Sequence, residues 1–97
     1  MSVGTAQQVR RDVGVCGTYG LRIEVVEVKN SLGVSWGVQM RVRIGDSPEV
    51  PVIHKTTTRE FQSRTAALMA ADNLKAETTL LAFHKTRSVV QWSAGNT

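Results

Sequence analysis

The stretch from Val34 to Ile44, VSWGVQMRVRI, decides the fold. Val34, Trp36, Val38, Met40, Val42 and Ile44 alternate without a break against Ser35, Gly37, Gln39, Arg41 and Arg43. Successive strand side chains point to opposite faces, so one row is suited to a core and the other to water. The preceding stretch Tyr19–Lys29, YGLRIEVVEVK, is rich in β-branched residues. NSLG lies between the two, and its Gly33 takes positive φ without steric cost, so the pair reads as a β-hairpin.

The first strand of that hairpin carries a conflict of parity. Leu21, Ile23 and Val25 begin an inward row, but Val26 and Val28 fall on the other parity, which leaves Glu27 beside Trp36 on the buried face. A β-bulge at Val25 and Val26 is expected to remove the conflict by shifting each later side chain to the opposite face. Arg22, Glu24, Glu27 and Lys29 then share a wet face with Arg41 and Arg43.

Outward from the hairpin, DSPE reads as a turn and VPVIHKTT as a weaker third strand, whose Pro51 belongs on an edge or at a strand start. Thr57-x-x-Glu60 has the form of a capping box and predicts a helix from Phe61 to about Lys85, a span without Gly or Pro. Ala67, Ala70, Ala71, Leu74, Thr78 and Leu81 recur there at helical spacing, so Leu74 and Leu81 are expected to meet the hairpin valines. His84 and Lys85 fall in the last turn, where positive charge suits the helix dipole. TRSVVQW, ending at Trp92, reads as a returning strand.

Residues 1–17 are small and polar with isolated Val13 and Val15, and are expected to be poorly ordered. Residues 18–93 read as a single domain and 94–97 as a frayed end. The expected fold class is α+β: an antiparallel sheet of three to four strands with one long helix packed on one face, in the order β-β-β-α-β.

Composition narrows the classes of function without choosing one. A chain of 97 residues buries roughly 60 to 70% of the surface its unfolded form exposes, so one core is expected. Its apolar run lengths are far below a membrane span, and its start lacks a signal-peptide pattern. A single cysteine, Cys16, forms no internal bridge, which fits a reducing cytoplasm. The formal charge of +4 permits anionic partners, but its basic residues are scattered and interleaved with acids.

No constellation for chemistry emerges. His54 and His84 lie far apart and, with one cysteine, give no metal-ligand spacing, so neither metal nor cofactor is expected. Cys16 in VGVCGTYG has no adjacent cation to activate its thiol, and no phosphate-loop, dinucleotide or nucleophile-elbow motif occurs. The expectation is a non-enzymatic, cytoplasmic protein-interaction domain that forms a homodimer through sheet edges. Val34 and Trp36 near the hairpin tip and Trp92 near the C-terminus are its candidate partner-binding residues. One alternative is weak, sequence-tolerant nucleic-acid binding by Arg22, Lys29, Arg41 and Arg43, with Arg10 and Arg11 as auxiliary contacts. That alternative lacks an exposed aromatic row for base stacking. A small-ligand or enzymatic site is the other alternative, and the sequence does not place it.

Overall fold

The computed structural model describes residues 5–95. The elements are β1 (Thr5–Cys16), β2 (Tyr19–Asn30), β3 (Gly33–Ile44), β4 (Val50–Pro51), β5 (Glu60–Phe61), α1 (Arg64–Thr86) and β6 (Gln91–Ala94). They form an antiparallel sheet in the order β4-β3-β2-β1-β6, with β5 also pairing β3, and α1 covers one face. The class is α+β, with more strands than the three to four expected. No helix among the described residues is long and apolar enough to cross a membrane.

Most of the added sheet is β1, inside the segment expected to be poorly ordered; residues 1–4 lie outside the described residues. Its buried positions near the C-terminal end are Asp12, Gly14 and Cys16, so its inward row lacks the large apolar residues that make a strand legible. Gly17, with φ of 61°, turns the chain into β2, and Cys16 pairs Tyr19.

The hairpin of β2 and β3 is present, but its register runs unbroken from Tyr19↔Ile44 to Asn30↔Gly33. The bulge expected at Val25 and Val26 is absent. The irregularity lies in the neighbouring strand, where Gln8 pairs Val26 and Arg10 pairs Val25, leaving Val9 as the extra residue of β1. Paired residues share a face, so Val25 stays inward against Val38, while Val26 and Val28 turn outward. Glu27 does stand opposite Trp36. It is tolerated because its side chain keeps 20% exposure and lies 3.6 Å from Lys29 Nζ, so the carboxylate is neither dry nor unpaired.

The core lies between α1 and the inner rows of β1, β2 and β3, around Leu21, Ile23, Val25, Val38, Met40, Phe61, Leu74 and Val90. Ala67 and Ala71 have no exposed surface, and their small side chains let the helix axis approach the sheet. The helix begins three residues later than expected. Ser63 is its cap, accepting from the Ala66 amide at 3.1 Å. Thr57 is occupied elsewhere: its hydroxyl accepts from the His54 amide and donates to the Val52 carbonyl. Glu60 and Phe61 are drawn into β5 against Gly37 and Trp36. At the other end Arg87 takes a left-handed conformation, and its amide donates to the Phe83 carbonyl at 2.7 Å. The chain then returns as β6, which runs two residues past Trp92 to Ala94.

Candidate functional site

Three surfaces follow from this architecture: the sheet edges, the sheet face that no helix covers, and a cleft at one end of the core. On the β1 side of the sheet, β6 is short. It pairs only Asp12–Val15 of the twelve-residue β1, and the Gly95 amide adds a bond to the Arg11 carbonyl at 2.8 Å. Among the described residues no strand lies outside Thr5–Gln8. In an antiparallel ladder alternate residues bond to alternate sides. Counting from the two-residue turn at Cys16↔Tyr19 and across the bulge, the amides of Ala6 and Gln8 point away from β2. This stretch, TAQQ, contains no Lys, Glu or Pro of the kind that protects a free edge.

The opposite side of the sheet is better closed. Against β3, β5 pairs Trp36 and Gly37, β4 pairs Arg41 and Val42, and the Val52 amide donates to the Met40 carbonyl at 2.9 Å.

The three residues expected at a partner surface do not form one patch. Trp36 lies on β3 against Phe61, whereas Trp92 lies on β6, with β2 and β1 between them. Trp92 packs against the core, donates from Nε1 to Thr79 Oγ1 at 2.8 Å and has Lys75 Nζ 5.4 Å from its ring centre. Trp36 also packs against the core, with its Nε1 enclosed and unpartnered among the described residues. Val34 is exposed near the hairpin tip. Both indoles are therefore mainly occupied in closing opposite margins of the core.

Of the four basic residues expected together, the structure gathers three. Arg22 stands opposite Arg41, and Arg43 opposite Gly20, on the uncovered face. Lys29 is on the helix side, beside Glu27, because the expected bulge is absent. Arg22 donates to Glu49 Oε1 at 2.7 Å and lies 3.4 Å from Glu24, which also meets Arg11 at 3.5 Å. Among the described residues Arg41 and Arg43 are paired with no carboxylate. The same face holds Val13, Val15, Val26 and Val28 but no aromatic residue, since Tyr19, Trp36, Phe61 and Trp92 lie on the helix side. The auxiliary Arg10 points under the helix, to Asp12 at 3.1 Å and Asp72 at 2.7 Å.

A cleft of about 330 Å³ opens between the last turns of α1 and the sheet, lined mostly by apolar groups of Leu21, Met40, Val42, Val52 and Leu81. Cys16 forms part of its wall. The thiol is buried, 3.3 Å from Thr86 Oγ1 and 3.6 Å from the Ser88 carbonyl. His54 organises its own loop: Nδ1 accepts from the Thr56 amide at 3.0 Å, which leaves Nε2 to donate to Glu77 at 3.3 Å. His84 is exposed in the last helical turn. Among the described residues no three His, Cys, Asp or Glu side chains converge to hold a metal ion.

The free half of β1 was not legible as a site, because its segment lacked a strand pattern. No protein-family model, curated protein or solved structure matches the chain.

Proposed function

We propose that this chain is a non-catalytic protein-interaction domain that binds by strand addition to the free half of β1, its first partner being β1 of a second copy. The observation that carries the reading is the edge at Thr5–Gln8, which no strand covers among the described residues, beyond the last pair of β6 with β1 at Asp12↔Ala94. Two such edges related by a two-fold axis present the same uncharged row to each other, as an isologous contact requires. The lone thiol is packed against the end of α1, consistent with a structural role in the reducing cytoplasm.

Ala6→Pro tests this reading. Proline removes an amide that points off the sheet and leaves the β1–β2 ladder intact, so the fold is retained and edge pairing is lost. Sedimentation of this variant should lose the edge-dependent association of the wild type; equal association in both sinks the reading.

A second reading, weak polyanion binding on the open face, is favoured by one observation, the lack of carboxylate partners for Arg41 and Arg43. Mixed-sequence oligonucleotide binding at low salt should then weaken in the Arg41→Gln, Arg43→Gln double variant. Equal binding by both proteins, or none, removes it.

A further inference from the structure

The cleft at the end of the core runs lengthwise along α1. Thr78, Leu81, Ala82, Lys85 and Thr86 line it from the helix side, and their spacing keeps them on one face over about 12 Å of helix axis. Leu21, Met40 and Val42 of β2 and β3 form the opposite wall. Cys16, Leu21 and Met40 at its base are buried, whereas Leu81 at the rim is 57% exposed. Its volume of about 330 Å³ lies at the small end of the range for ligand sites.

The polar groups of the cleft sort by position. Those of the walls are already engaged within the chain: the Thr86 hydroxyl donates to the Ala82 carbonyl at 2.8 Å, accepts from the Ser88 amide at 3.1 Å and meets the Cys16 thiol. The Thr78 hydroxyl turns to Met40 Sδ at 3.8 Å. Water between such walls finds few partners, so an apolar body that displaces it gains affinity. The end near the β1–β2 turn differs. Lys85 adjoins Thr86 on the last helical turn, and Tyr19 stands opposite Cys16 on the helix side of the sheet. Among the described residues neither the Lys85 ammonium nor the Tyr19 hydroxyl has a partner, and no acidic residue lines the cleft.

We infer that this cleft binds a small straight-chain carboxylate, its hydrocarbon body along α1 and its carboxylate at Lys85 and Tyr19. A single cation matches a single negative charge, and the phenol supplies a second donor to it. The length of the lined stripe limits the body to about 12 Å, the reach of a medium-chain fatty acid. No residue of the Thr5–Gln8 edge lines the cleft, so ligand binding and strand addition stand independently of each other.

Octanoate and the neutral octanol are the probes, titrated by calorimetry and by methyl resonances into the wild type, Lys85→Gln and Leu81→Glu. Circular dichroism checks folding; both residues are exposed, so the fold is retained. The wild type should bind one octanoate per chain, with the shifts concentrated at the methyl groups of Met40 and Val42. Lys85→Gln should weaken octanoate about fivefold and leave octanol unchanged. Leu81→Glu places a carboxylate at the rim, one turn before Lys85, and should remove octanoate binding. A wild type that binds no octanoate at millimolar concentration, or binds it with shifts elsewhere, overturns the inference. So does equal octanoate binding by all three proteins, or a loss of octanol in Lys85→Gln as large as that of octanoate.

Discussion

Trp92 packs directly over Gly14: a Cβ built at Gly14 would fall 2.9 Å from two carbons of the indole ring and 2.8 Å from Val90 Cγ1. Both neighbours belong to the segment that closes the sheet on the β1 side, so the glycine sets how closely β6 and its indole approach. Gly14→Ala must displace a ring anchored to Thr79 and should destabilise the protein by about 2 kcal/mol. Denaturant unfolding measures it; an unchanged midpoint would show that the indole is free to shift.

A second prediction concerns the contact that holds α1 across β1. Asp12 is 8% exposed and lies 3.1 Å from Arg10 and 3.7 Å from Lys75, while Arg10 reaches on to Asp72. Asp12→Ala leaves two cations beneath the helix without their shared carboxylate and should cost about 3 kcal/mol. Asp72→Ala, at an exposed end of the same chain of charges, should cost less than about 1 kcal/mol. Equal losses in the two variants would contradict the central place given to Asp12.

The hairpin register gives a third test. Val25 is 1% exposed opposite Val38, whereas Val26 faces the open side of the sheet opposite Gly37. Val25→Thr buries a hydroxyl and should destabilise by about 2 kcal/mol, while Val26→Thr should stay within about 0.5 kcal/mol. Thermal unfolding of the pair distinguishes this register from one with the bulge in β2, for which the order of the two losses reverses.

These residues also show what the sequence exposes and what it conceals. The strict alternation of VSWGVQMRVRI made β3 and its hairpin legible, because a half-buried strand writes its two faces into the chain. The parity break at Val25 and Val26 marks no bulge in β2, whose register is unbroken: Val26 and Val28 turn to the open face and Glu27 is tolerated beside Trp36. The irregularity at Val9 in β1 is a separate feature that shifts no side chain of β2. β1 itself was concealed because its inward positions include an aspartate held by cations and a glycine covered by an indole, both meaningful only once α1 and β6 are in place. The helix was legible in type but not at its start, since Thr57 and Ser63 are both capping residues and only tertiary pairing of Glu60 and Phe61 decides between them. Candidate sites fared least well. Trp36 and Trp92 were readable as peripheral, but their separation by intervening strands was not, and neither was the free edge of a strand that the sequence did not announce.

The central claim, that the free half of β1 is a pairing edge, is tested most directly by amide hydrogen exchange at Ala6 and Gln8 as a function of protein concentration. Their amides point off the sheet in the isolated chain, so exchange should be fast in dilute solution and slow markedly as copies associate, with Ala6→Pro removing the effect at Gln8. Exchange at both positions that stays fast at every concentration, even where sedimentation shows association, would contradict the claim.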